Sequence, residues 1–92
     1  MEGKGIRYWN DGDRYEGDFK NDKMEGKGIY YYNREPWKGD RYEGDWRNGN
    51  KEGKGIYYYN DGDRSMGDYL NGKPIGKHAV LTKNGEVKTN YY

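Results

Sequence analysis

The sequence contains no cysteine, only two prolines, and no apolar stretch approaching the roughly 20 residues of a membrane-spanning helix. The first absence excludes disulfides, thiolate zinc sites and cysteine nucleophiles, and fits a reducing compartment. With no apolar stretch behind the first methionine, neither a transmembrane helix nor a signal peptide is expected, and a cytoplasmic protein is the simplest reading. An excess of one charge is also missing. Seventeen Lys and Arg stand against 16 Asp and Glu, so no overall field draws the chain to nucleic acid, and none is expected as a partner. Aliphatic residues are scarce as well. Hydrophobic residues make up 30% of the chain, charged residues 36%, and mean hydropathy is -1.59, values that by themselves approach those of disordered chains.

What is present argues for order. Twelve tyrosines, three tryptophans and one phenylalanine supply most of the apolar surface, beside 16 glycines. Aromatic side chains each bury roughly 150 to 250 Å² and favour pleated strands. They are also arranged periodically. The block "EGKG" begins at Glu2, Glu25 and Glu52, with a degenerate copy "IGKH" at Ile75, giving steps of 23, 27 and 23 residues. "GDRYEGDF" from Gly12, "GDRYEGDW" from Gly39 and "GDRSMGDY" from Gly62 repeat the 27 and 23. The longer step holds a four-residue insertion, visible as "NREPWKG" over Asn33 to Gly39 where other copies read "NDG".

Each unit contains two strand-like stretches and two turn signals. Asn21-Asp22, Asn48-Gly49 and Asn71-Gly72 suit the positive φ of primed hairpin turns. Asn10 to Gly12, Asn60 to Gly62 and the region of Asn84-Gly85 supply the alternate turns. Such short connections enforce antiparallel neighbours. The expected fold is therefore all-β: an elongated single-sheet antiparallel meander of repeated hairpins with about eight strands. The period is too short for propeller blades or for a helix in each unit. An isolated hairpin is marginal in water, so the stacked array is the folding unit. We expect one array over residues 1–92, with a partial unit at 1–12, units at 13–39 and 40–62, and degenerate C-terminal units at 63–92 that read as a cap. The half-unit at the start, where Met1 aligns with Met24, suggests either missing upstream sequence or an edge strand that pairs with another chain.

Alternation assigns faces. Tyr15, Gly17 and Phe19 share one side of their strand, as do Tyr42, Gly44 and Trp46 of theirs, while arginine and acidic residues take the other. Gly26, Gly28, Tyr30 and Tyr32 share a side, with Lys27, Ile29 and Tyr31 on the reverse, so three consecutive tyrosines cannot all point inward. Rings covering bare glycine backbone would explain the constant partnership of the two residue types, and we mark Gly17, Gly26, Gly28, Gly44, Gly53, Gly55 and Gly67 as structural. Glu16 and Lys27 are a possible cross-strand pair.

Catalytic and cofactor chemistry finds no support. His78 is the only histidine, no triad or metal cluster can be assembled around it, and the carboxylates recur at equivalent positions as register and solubility require. Gly26-Lys27-Gly28 lies within a strand and lacks the Ser or Thr and helix start of a phosphate loop. Lys4, Lys27 and Lys54 fall at one place in three units and could contact lipid headgroups, although Glu2, Glu25 and Glu52 beside them favour a solvated, salt-paired face. The aromatic row is different, since no helix is available to cover it. Tyr15, Phe19, Tyr30, Tyr32, Tyr42, Trp46, Tyr57, Tyr59 and Tyr69 form the candidate partner groove, with Trp37 in the insertion as a loop contact.

A unit reading Tyr-Glu-Gly-Asp-(Phe/Trp), Asn-Gly, Gly-Lys-Gly-Ile-Tyr and Asn-x-Gly resembles the MORN (membrane occupation and recognition nexus) repeat over nearly the whole chain. Ser65-Met66 and Pro74 to His78 depart from the pattern. The resemblance implies a hairpin array with a groove that binds or scaffolds proteins, or dimerises, without performing chemistry. A protein or peptide partner is expected, with a homodimer through the sheet edge, phospholipid binding (phosphoinositide or membrane surface) through the repeated lysines, and a place as the accessory region of a larger enzyme as further options. Cytoskeletal or membrane association is the corresponding expectation for location.

Overall fold

The computed structural model describes residues 2–92. Met1, on which the expected half-unit opens, lies outside the described residues. Eight strands are present: β1 (Gly3–Tyr8), β2 (Arg14–Lys20), β3 (Lys23–Tyr31), β4 (Arg41–Arg47), β5 (Asn50–Tyr58), β6 (Arg64–Leu70), β7 (Lys73–Leu81) and β8 (Val87–Tyr91). They form one open antiparallel sheet in sequence order. The described residues contain no helix, and hence none long and apolar enough to cross a membrane. The sheet measures 40 × 24 × 17 Å.

The turns follow from local chemistry. Asn21 and Asp22 take φ of 52° and 64°, Asn48 and Gly49 take 51° and 84°, and Asn71 and Gly72 take 51° and 83°. Two successive positive φ values define the type I′ turn, whose twist matches the strands it joins. On the opposite margin, Gly12 N–H donates to the Trp9 carbonyl (3.0 Å), and Gly62 and Gly85 repeat this bond to Tyr59 (3.0 Å) and Thr82 (2.9 Å). The four-residue insertion leaves that closure intact. Gly39 N–H still donates to the Tyr32 carbonyl at 3.0 Å, and Tyr32 N–H to the Asp40 carbonyl at 3.0 Å. Register also slips once in each hairpin, between Gly17 and Phe19, Gly44 and Trp46, and Met66 and Asp68. In the facing strands Gly26, Gly53 and Gly76 adopt φ of 69°, 76° and 69°, a left-handed conformation that glycine enters without strain.

The core is a single layer made only of rings. Tyr15, Phe19, Tyr42, Trp46 and Tyr69 are buried on one face. They continue through His78 and Tyr92 as a zipper of edge-to-face contacts in the order Phe19–Tyr15–Trp46–Tyr42–Tyr69–His78–Tyr92. Centroid separations run from 4.9 to 5.3 Å. Each such pair adds about 0.5–1.5 kcal/mol beyond area burial. The middle tyrosine of each run turns to the reverse face, where Arg14 stacks on Tyr31 at 4.0 Å and Arg41 on Tyr58 at 3.8 Å. One expected pair is replaced. Ile29 stands opposite Glu16, while Lys27 faces Asp45 of the following strand and pairs with it at 2.5 Å.

Candidate functional site

The groove face is built on ring-and-glycine sockets. The Tyr15 side chain lies on Gly28 and that of Tyr42 on Gly55, so closely that a Cβ at either glycine would run into the ring. The Tyr15 hydroxyl donates to the Asp18 carbonyl (3.0 Å) and the Tyr42 hydroxyl to the Asp45 carbonyl (3.4 Å). Burial, followed by the nearby Asp18 carboxylate, pushes the Tyr15 phenol up to about 12, so the hydroxyl remains a donor. Trp46 completes the first socket by donating its indole N–H to the Gly28 carbonyl at 3.2 Å.

The third unit fills the same space from the opposite strand. Ser65 occupies the tyrosine position and His78 the glycine position, and both are buried. His78 Nε2 lies 2.9 Å from the Asp68 carbonyl and Nδ1 3.1 Å from Ser65 Oγ. A carbonyl only accepts, so Nε2 carries the proton and, in the neutral ring, Nδ1 accepts from the serine; the tautomer is assigned from this bonding. The bond to the strand carbonyl is thus the one that tyrosine makes in the earlier units. The Ser65–His78 pair takes over the packing role of the tyrosine socket, with the imidazole edge-to-face against Tyr69 and Tyr92.

Buried carboxylates then position the outer tyrosines. Asp13 accepts from Asn33 N–H (2.8 Å), the Tyr30 hydroxyl (2.7 Å) and Arg34 Nε (3.0 Å). Asp40 repeats the first two bonds with Asn60 N–H (2.7 Å) and the Tyr57 hydroxyl (2.7 Å). Burial acts to raise the Asp13 pKa, but the Asn33, Tyr30 and Arg34 donors outweigh it and hold the carboxyl below its ordinary value. These aspartates were not singled out from the sequence. Their signal was the unvarying Gly-Asp-Arg at 12–14, 39–41 and 62–64.

Over this floor lie two cavities that share a saddle. The larger, about 430 Å³, is lined by residues including Tyr32, Trp37, Tyr57, Tyr59, Tyr69 and Tyr92. A second, about 310 Å³, is walled by Trp9, Met24, Tyr30 and Trp46. Tyr32, Arg34 and Lys51 border both. Lys51 Nζ sits 5.1–5.8 Å from the centroids of Tyr32, Tyr42, Tyr57 and Tyr69. Burial in this aromatic surround pulls its ammonium down to about 8. The same burial, with the Asp13 charge adding to it, pushes Tyr32 up to about 12.

The structure therefore divides the expected groove residues. Tyr15, Phe19, Tyr42, Trp46 and Tyr69 form the packed floor, whereas Tyr30, Tyr32, Tyr57 and Tyr59 present ring surface above it, with Tyr59 39% exposed. Trp37 is brought beside them, 43% exposed, with Arg34 stacked on its ring at 5.3 Å. Lys4, Lys27 and Lys54 lie instead on the reverse face. Each stands opposite an aspartate of the next strand and pairs with it: Asp18 at 3.0 Å, Asp45 at 2.5 Å and Asp68 at 3.6 Å. The glutamates expected to neutralise this row act elsewhere, Glu2 and Glu25 accepting from the turn N–H groups of Asn21 and Asn48.

Among the described residues no group of three or more His, Asp or Glu side chains is placed to hold a metal. A search of curated proteins returns no match. The family model of the MORN repeat matches residues 1–14, 15–34 and 42–64, more than half of the chain. Its two longer matches begin at or beside the socket tyrosines, Tyr15 and Tyr42, the residues around which each hairpin packs. The chain belongs to the MORN repeat family, whose repeats are non-enzymatic modules of interaction with proteins and membranes.

Proposed function

We propose that this array is a docking module that receives a segment of a partner protein along its aromatic groove. The observation that carries this reading is the pair of adjoining cavities over a preformed ring floor. Rigid, amphipathic tyrosine and tryptophan surfaces lose little entropy on binding and are enriched at interface centres. Headgroup binding through the lysine row is the weaker reading, because each of those ammonium groups already has a carboxylate partner.

Panning a random peptide library against the full chain tests the proposal. Selected peptides should lose about tenfold or more in affinity to the Trp37→Ala/Tyr59→Ala variant, the loss expected of truncated interface aromatics, while its melting temperature stays unchanged. Lys27→Ala/Lys54→Ala should bind them as the parent does. Salt-sensitive binding to phosphoinositide vesicles, lost in the lysine variant, would overturn the groove reading in favour of lipid. Among the described strands the outer edges of β1 and β8 pair with no other strand, and a second copy adding there is the remaining reading. Sedimentation equilibrium would show it as a concentration-dependent dimer.

A further inference from the structure

Lys51 departs from the logic that governs the other lysines at the structural repeat. Lys4, Lys27 and Lys54 each meet an aspartate across the strand, but Lys51 lies opposite Trp46 and has no carboxylate partner among the described residues. Its position in the repeat is held by Met24 in the preceding unit and Pro74 in the following one, so the scaffold is served there by an apolar side chain. A cation has thus been placed where packing does not call for one. Its surroundings are equally one-sided. Among the described residues, neither cavity is lined by a single Asp or Glu, in a chain with 16 of them. The other cation on the saddle, Arg34, is already engaged by Asp11 at 3.2 Å and Asp13 at 3.0 Å.

A half-desolvated ammonium stabilised only by ring faces is under-compensated. Ring quadrupoles attract it, but they supply far less than a hydrogen-bonded counter-ion does. Its lowered proton affinity is the same deficit seen from another side. An anion entering the groove would meet a positive charge already positioned and half-desolvated, and, among the described residues, no carboxylate lining either cavity to repel it. We propose that Lys51 is the anchoring point for a carboxylate side chain of the docked segment, which makes the preferred partner an acidic peptide with apolar or aromatic residues flanking an Asp or Glu. A single site on the saddle suits one carboxylate whose neighbours enter the two cavities. A polyanionic lipid headgroup would demand several free cations together, and among the described cations lining the two cavities only Lys51 lacks a carboxylate partner.

This inference rests on the groove reading, and the test separates the two. Peptides are selected from the same random library on the parent chain and on Lys51→Met, a substitution that installs the residue found at position 24. Peptides from the parent should be enriched in Asp or Glu beside apolar residues, and replacing that acid by its amide should weaken them about 10- to 100-fold, the range for a hydrogen bond to a charged group. Against Lys51→Met the acid and amide forms should bind within about twofold of one another, with no acidic enrichment in its own selection. The variant should melt no lower than the parent, since a poorly solvated amine is replaced by an apolar chain. Groove-binding peptides without acidic enrichment, or an acid preference that survives in Lys51→Met, would overturn the assignment of Lys51 and leave the groove standing. Peptides indifferent to Trp37→Ala/Tyr59→Ala, or none selected, would overturn both.

Discussion

The hairpin of β4 and β5 and that of β6 and β7 solve one packing problem in opposite ways. In the first, a tyrosine reaches across to a bare glycine; in the second, a histidine occupies the glycine position and serine makes room for it. Both fill the same volume and satisfy the same strand carbonyl. The repeat therefore conserves a ring with a donor at a fixed point in space and leaves open which strand provides it.

That comparison can be broken by exchanging its parts. Ser65→Tyr alone forces a second ring onto His78, and His78→Gly alone empties the socket; by analogy with large-to-small core changes, the latter should cost about 2–5 kcal/mol. The double variant should recover most of that loss by recreating the Tyr42–Gly55 arrangement. Chemical denaturation of the four proteins measures the coupling, and strictly additive losses would show that the two sites do not share a space.

A smaller contrast concerns Asp13, with three donors, and its counterpart Asp63, for which the corresponding bond is the one from Lys83 N–H at 2.9 Å. Asp13→Asn should cost roughly 1–3 kcal/mol, and Asp63→Asn less. The folded pKa of Asp13 is depressed, so its contribution is fully present above the unfolded value near about 4 and disappears as pH falls through the lower, folded one. Acid titration of unfolding free energy should accordingly fall less steeply below about pH 4 in Asp13→Asn than in the parent. The smallest effect belongs to the reverse face, where Lys27→Ala and Lys54→Ala should each change stability by at most about 1 kcal/mol, diminishing further in salt. The exposure of those side chains, 79% and 88%, is the reason.

The strands, turns and repeat period were legible in the sequence because each depends on neighbours a few residues away. Asn48-Gly49 states its turn by itself, and alternation places Tyr15 and Phe19 together without knowledge of any other strand. What could not be read depends on register between strands. Lys27 pairs with Asp45 instead of Glu16 because the β3–β4 alignment, fixed by the whole sheet, decides its neighbour. Likewise Tyr42 and Tyr59 share a face by parity, yet one lies under neighbouring rings and the other at the margin, a difference in height that alternation does not encode. Ser65 and His78 were each visible as departures; that one compensates the other emerges only when β6 is laid against β7. Lys51 passed unnoticed because charge in a strand is ordinarily solvent-facing, and the apolar residues at the equivalent positions, Met24 and Pro74, were its mark.

The closure preserved across the insertion at Arg34 to Trp37 gives the ribbon two unlike margins. Along one, two-residue turns are stitched to the unit before them, as when Gly49 N–H donates to the Met24 carbonyl and Gly72 N–H to that of Lys51. Length there is locked to register. Along the other, the bonds that end one unit and begin the next hold whether three residues or seven intervene, so chain can be added without moving a strand. That margin is an editable border beside the groove, along which an array built of near-identical units can gain an individual surface while its frame stays the same.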